Sequence, residues 1–124
     1  MASLAGAGFR AIAPDLRGFG DSDKPAEVEA YLASNAVADV AGLLDALGIE
    51  TAHLVGFDWG APVAWFAATM IPERLRRMVA VAVGHPGTFF SGGAEQFMRS
   101  WYIWLIQFRG SAEDIGMICH AHPS

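Results

Sequence analysis

Three short apolar runs constrain this chain more than any other feature: "FRAIAP" at 9–14, "AHLVGF" at 52–57 and "RMVAVAVG" at 77–84. Turn formers or charged residues bound each of them, and their lengths suit strands. The second and third are apolar at successive positions instead of alternating. A strand apolar on both faces needs cover on both, which favours parallel pairing with helices above and below the sheet.

Between the runs the period lengthens. Val37, Val40, Ala41, Leu44 and Leu47 recur at helical spacing,. Ser34 or Asn35 stands where a helix start wants a cap, and Gly48 where its end wants a glycine. "APVAWFAATM" (61–70) reads as a second helix with Pro72 beyond its end. The expected order is β-α-β-α-β, with three parallel strands joined by crossover helices. After "HPGTFFSGG" the texture changes, and the aromatic "AEQFMRSWYIWLIQF" (94–108) reads as a helix of a different element. The tail has no clear period.

Composition narrows the function classes. Hydrophobic residues make up 53% of the 124 residues and charged ones 17%, too apolar for disorder. A net charge of −5 gives no electrostatic reason to expect nucleic acid,. Arg74, Arg76 and Arg77 form only a small basic cluster. Cys119 is the only cysteine, so no intrachain disulfide can form and a reducing compartment is expected,. "MASLAGAGFR" lacks a leader pattern and no run approaches the ~20 apolar residues of a membrane span. A soluble cytoplasmic protein is the expectation.

The chemistry points to "LVGFDWGAPVAW" (54–65). A strand, a sharp turn and a helix around G-x-nucleophile-x-G make a nucleophile elbow, with its central residue strained and exposed at the carboxyl edge of the sheet. Gly56 and Gly60 flank Asp58 here, and side chains at either glycine are expected to collide with the neighbouring strand and helix. A carboxylate is already ionised at neutral pH. It can attack saturated carbon without a base, opening an epoxide or expelling a halide, and leaves a covalent ester. Hydrolysis of that ester needs a general base, usually histidine. The backbone N–H of Trp59 would supply half of an oxyanion hole. The plainer alternative makes Asp58 an N-cap for the helix near Gly60.

Taken together, "APDLRGFGDSDKP", "LLDALGI", "AHLVGFDWGAPVAW" and "PERLRRMVAVAVGHP" resemble the α/β-hydrolase epoxide hydrolases, over about residues 4 to 114. Haloalkane dehalogenases share much of the same pattern. The resemblance implies a partial α/β-hydrolase core over 1–90 and the start of a cap domain over 91–124. It implies Asp58 as nucleophile and Trp59 as oxyanion-hole donor. "SWYIWLIQF" is similar to the opening helix of the cap, where a tyrosine lies five residues before a glutamine. Tyr102 and Gln107 keep that spacing, so Tyr102 takes the role of acid on the epoxide oxygen. The alternative for Tyr102 is an aromatic packed beside Trp101 and Trp104.

The chain departs from the family pattern in three ways. Phe57 stands where the family commonly has histidine, which concerns packing more than chemistry. The resemblance puts a His-Gly-x-Pro loop before residue 1, and the acid and histidine of the charge pair after the cap. An internal piece of a longer hydrolase, not competent for turnover alone, is therefore expected. His53 lies in a strand and His85 opens a loop, so neither follows the cap as the base should. His120 and His122 beside Cys119 have the look of a metal tract at a chain end, where such spacing is usually without function. No cofactor and no metal are expected, and the partners are a small apolar epoxide or haloalkane and water. A haloalkane or haloacid dehalogenase is the nearest rival. A non-catalytic α/β remnant, self-associating through an exposed sheet edge, is the other.

Overall fold

The computed structural model describes residues 2–105 of the chain. They fall into two compact units that divide between Gly84 and His85, and each is taken by itself.

The first unit runs through helix α1 (Ala2–Gly6), helix α2 (Ala33–Ala46), strand β1 (Ala52–Phe57), helix α3 (Gly60–Met70) and strand β2 (Leu75–Val81), with short 3₁₀ turns at Val28–Tyr31 and Pro72–Arg74. β1 and β2 pair in parallel, from Ala52 opposite Leu75 to Phe57 opposite Val81. Parallel neighbours require a crossover, and α3 is that crossover, packed on both strands and on α2. Its buried face is Ala61, Ala64 and Ala67. These side chains end at Cβ, so the helix axis can lie close to the sheet. Val37 and Leu44 of α2 complete a core of small and medium side chains.

Cover is one-sided. Ala52, Leu54 and Gly56 are the more buried positions of β1, and His53, Val55 and Phe57 are exposed. Val79 and Val81 of β2 are exposed as well. Strands apolar on both faces are thus covered by helix on one face only among the described residues.

Two of the three expected strands form the sheet, and the third does not. Residues 9–16 have no regular structure, and Phe9 and Ile12 are exposed. The Phe9 ring stands edge-on to His53, with centroids 6.2 Å apart. β-propensity makes a backbone extended, but a strand exists only beside a neighbour that takes its N–H and C=O groups. No such neighbour lies beside 9–14 among the described residues.

The polar loop that follows is well tied. Gly18 N–H donates to Asp23 O at 2.8 Å, and Asp21 N–H to Asp15 Oδ2 at 3.1 Å. The Arg17 guanidinium forks onto both oxygens of Asp39 at 2.6 and 2.5 Å and also donates to the Ala30 carbonyl. Its hydrogen bonds to Asp39 push the Arg17 pKa up. α2 ends as expected, with Gly48 at φ +66 and Ile49 N–H reaching back to Leu44 O at 2.8 Å,. Its start differs. Leu32 is the N-cap, without a side-chain bond, and the Asn35 amide instead donates to Glu29 O of the preceding turn at 2.9 Å. In the basic cluster, Arg74 binds Glu50 O, Ile49 O and Asp45, and Arg76 binds Thr51 Oγ1. Those two arginines clamp the approach to β1.

The second unit carries helices α4 (Pro86–Ser91), α5 (Gly93–Arg99) and α6 (Trp101–Leu105). The single helix expected from 94 is broken at Ser100. This residue is buried, its N–H donates to Gln96 O and Phe97 O, and its Oγ accepts from Gln96 Nε2 at 2.8 Å. α4 fills what reads in sequence as a loop. Pro86 sits in its first turn and the His85 ring caps it, Nδ1 accepting from Gly87 N–H at 3.0 Å,. No helix among the described residues is long and apolar enough to cross a membrane.

Candidate active site

β1 stops at Phe57 and α3 starts at Gly60, so Asp58 occupies the turn at the carboxyl edge of two parallel strands. Its φ is +50, a left-handed conformation uncommon outside glycine but better tolerated by Asp and Asn than by most residues,. The turn is held from both sides: Asp58 N–H donates to Val81 O of β2 at 3.2 Å, and Asp58 O accepts from Ala61 N–H at 2.9 Å. The carboxylate is exposed and has no hydrogen bond or ion pair among the described residues. The N-cap of α3 is Trp59, and no side chain bonds to the helix start. Asp58 therefore does not cap α3.

Gly56 shows why the turn can be this tight. A Cβ there would lie 2.2 Å from Gly60 O and 2.8 Å from Ala61 Cα, well inside contact distance. Gly60 does not match it. A Cβ at Gly60 would meet nothing within 4 Å among the described residues. Of the two glycines expected to avoid collisions, only Gly56 does so among the described residues.

Trp59 follows with helical φ and ψ of −59 and −25. Its backbone N–H has no hydrogen-bond partner among the described residues, so a donor stands open one residue after the carboxylate. Trp59 is half exposed and lines a largely apolar hollow of about 420 Å³ with Leu16, Arg17, Phe19, Tyr31 and Val63.

Tyr102 lies on α6 of the second unit, and its side chain is half exposed with no hydrogen-bond partner among the described residues. Asp58 and Trp59 are brought together by the elbow; Tyr102 belongs to the other unit. Gln107, Cys119, His120 and His122 lie outside the described residues. His53 is five residues before Asp58 on an extended strand, roughly 16 Å away at the usual rise,. The His85 ring is engaged at the start of α4. No group of three or more His, Cys, Asp or Glu side chains placed to hold a metal occurs among the described residues. Ala82, at φ +72, is a feature that sequence reading does not find, because "VAVAVG" looks like uninterrupted strand.

The family model described as the alpha/beta hydrolase fold matches residues 1–109. Epoxide hydrolase 3 of Siraitia grosvenorii is 42% identical over 116 residues, which is 90% of this chain and 37% of that protein. An epoxide hydrolase of Caballeronia sordidicola is 49% identical over 83 residues, 67% of this chain and 25% of its own length. Among solved structures, Bacillus megaterium epoxide hydrolase in complex with an inhibitor superposes with a TM-score of 0.74 at 29% identity, covering 80% of this chain and 36% of that one. The chain thus spans roughly a quarter to two fifths of the length of these relatives. It belongs to the α/β-hydrolase fold family and is epoxide hydrolase-like within it.

Proposed function

We propose that this chain carries the nucleophile of an epoxide hydrolase-type reaction, with Asp58 forming a covalent aspartyl ester. The observation that carries the reading is the elbow: an exposed carboxylate without a partner among the described residues, held at φ +50 on the carboxyl edge of parallel strands, where open α/β sheets bind ligands. An Asp58 oxygen attacks a ring carbon, the C–O bond of the epoxide breaks, and the ring oxygen takes the proton of the Tyr102 hydroxyl. Water then adds to the ester carbonyl as a base takes its proton, and the Trp59 N–H steadies the oxyanion. The ester C–O bond breaks to release the diol, with Asp58 again a carboxylate and the proton returned to the Tyr102 oxygen. Residues 1–90 act in this reading as the core and 91–124 as the opening of the cap.

The second step needs a base. Its loss forfeits about 10² to 10⁴ in rate, and His53, the histidine in the same unit as Asp58, stands roughly 16 Å from it along β1,. The chain alone should acquire one adduct on Asp58 and stop. The substrate is a small apolar epoxide, and the lone Cys119 suits a reducing, cytoplasmic setting,. The sheet face at Val55, Phe57, Val79 and Val81, exposed among the described residues, supports self-association at high concentration,.

Intact-mass analysis after incubation with a styrene-type epoxide tests this. The expected product is a single addition that maps to the peptide holding Asp58 and is absent from Asp58→Asn. An adduct that persists in Asp58→Asn would end the nucleophile assignment, and steady diol production by the purified chain would end the one-adduct limit. Halide release from a chloroalkane, with no reaction of the epoxide, would transfer the reading to dehalogenase chemistry.

A further inference from the structure

The two strands leave the sheet in the same way. Phe57 and Val81 are partners at the end of the ladder, and the residue after each turns left-handed, Asp58 at φ +50 and Ala82 at φ +72. These are the two non-glycine residues of positive φ among the described residues. Asp has a polar side chain that makes this conformation tolerable; alanine has none, so its surroundings must hold Ala82 there.

The carbonyls on either side of Ala82 show what holds it. Val81 O accepts the backbone N–H of Asp58 at 3.2 Å, and Val83 O accepts the indole N–H of Trp65 at 3.3 Å. Trp65 stands on α3, the helix that starts two residues after Asp58. The β2 exit is therefore fastened to the helix on one side and to the elbow on the other. The φ of Ala82 sets how the chain leaves the 81–82 peptide, whose carbonyl receives the Asp58 amide, so the turn and that hydrogen bond share one peptide unit. With the Asp58 N–H engaged in this way, the neighbouring Trp59 N–H is an open donor of the turn among the described residues.

We infer that Ala82 and Trp65 are positioning residues for Asp58: the left-handed turn at Ala82, fastened to α3 through Trp65, fixes the carboxylate over the sheet edge. This rests on Asp58 being the nucleophile. Misplacement by about 1 Å costs about 10²-fold in rate, so loosening the turn should slow attack without weakening epoxide binding.

Three variants of the 124-residue chain separate the possibilities. Ala82→Gly can keep φ +72, Ala82→Val cannot hold it as a β-branched residue, and Trp65→Phe keeps the ring while losing the N–H. The rate of adduct formation, followed by intact mass over a range of styrene oxide concentrations, gives kinact and KI. Ala82→Val and Trp65→Phe should lower kinact by about 10- to 100-fold with KI unchanged within about twofold, and Ala82→Gly should retain the wild-type kinact. Amide hydrogen exchange reads the same device without any reaction. The Asp58 N–H should exchange at least about tenfold faster in Ala82→Val and Trp65→Phe, while Ala64 inside α3 stays protected. An Asp58 amide unchanged in both variants, or Ala64 and Asp58 losing protection together, overturns the inference. If the wild-type chain forms no adduct, the nucleophile reading of Asp58 fails, and the exchange data alone decide whether Ala82 and Trp65 hold the turn.

Discussion

The elbow at 56–61 is tied by backbone hydrogen bonds to both β2 and α3, whereas residues 9–14 have no backbone hydrogen bond to the sheet among the described residues. Around Asp58 the backbone is tied to β2 through Val81 O and to α3 through Ala61 N–H, and Gly56 lies directly beneath the first turn of the helix. Along 9–14, Phe9 N–H donates to Leu4 O at 3.0 Å, and the Phe9 ring meets the ring of His53 on the sheet in a T-shaped contact. Both stretches are short and apolar. The difference teaches that sensitivity to substitution follows the number of independent backbone supports, not the apolar content of a run. Substitutions of graded size should trace that gradient.

The largest effect is expected at Gly56. Gly56→Ala places a methyl 2.2 Å from a backbone oxygen, which no rotamer change relieves, so the strand and helix must part. Overpacking of side chains typically costs about 1–3 kcal/mol, and a clash against backbone should reach or exceed the top of that range. Chemical denaturation should show the loss, with far-UV dichroism reporting whether α3 survives. A variant as stable as the wild type would mean that the helix does not sit where the elbow requires.

Asp58→Gly should act in the opposite direction. It removes the left-handed strain of a residue with a side chain, at a cost of about 1–3 kcal/mol when present, and returns about 0.5–1 kcal/mol through a more flexible unfolded chain. A net gain of up to ~1 kcal/mol is expected, together with complete loss of the epoxide adduct. Thermal unfolding and intact mass on the same sample check both. A loss of stability instead would show that the carboxylate is held by contacts it lacks among the described residues.

Much of this was legible from local spacing, and the failures have local causes too. The elbow is written as glycine, acid and glycine after an apolar run, and Gly48 marks the end of α2 by its need for positive φ. β2 starts two residues before its apolar run, because Arg76 is exposed and pairs with Thr51 while still lying in the strand. It ends earlier than the run suggests because Ala82 turns left-handed, and no composition signals that. The start of α4 is a histidine cap outside the usual Ser, Thr, Asp and Asn set,, although Pro86 was a signal available for it. The run at 9–14 stays outside the sheet for a different reason. Whether an extended run finds a neighbour is a property of the whole sheet, not of the run.

A smaller effect, and a sharper comparison, comes from the second glycine. Gly60 opens α3 and a Cβ there meets nothing within 4 Å. Gly60→Ala should therefore be tolerated and gain about 0.5 kcal/mol, since alanine restricts the unfolded chain at a position of helical geometry. Measured beside Gly56→Ala, it separates the two sides of the elbow by several kcal/mol for the same added methyl. A loss above ~1 kcal/mol would restore Gly60 to the role that the motif suggested for it.

The smallest effect is expected at Ile12, and it tests the other half of the comparison. Ile12 lies in the middle of the run that reads as a strand, yet 43% of its surface is open to solvent and no ladder flanks it among the described residues. Ile12→Thr keeps the β-branch, so backbone preference is nearly unchanged, and exchanges apolar for polar surface. Were 9–14 a covered central strand, the swap would bury a hydroxyl among apolar neighbours at a cost of about 1–3 kcal/mol. For the exposed segment the change should stay within about 0.5 kcal/mol, as for ordinary surface positions. Urea denaturation at a concentration where size exclusion shows a single species measures it cleanly. A cost above ~1 kcal/mol in the monomer would mean that 9–14 is packed after all. The same cost appearing only when the chain associates would place Ile12 in the contact between copies, and the bare face of the sheet would then be the first place to look for its neighbour.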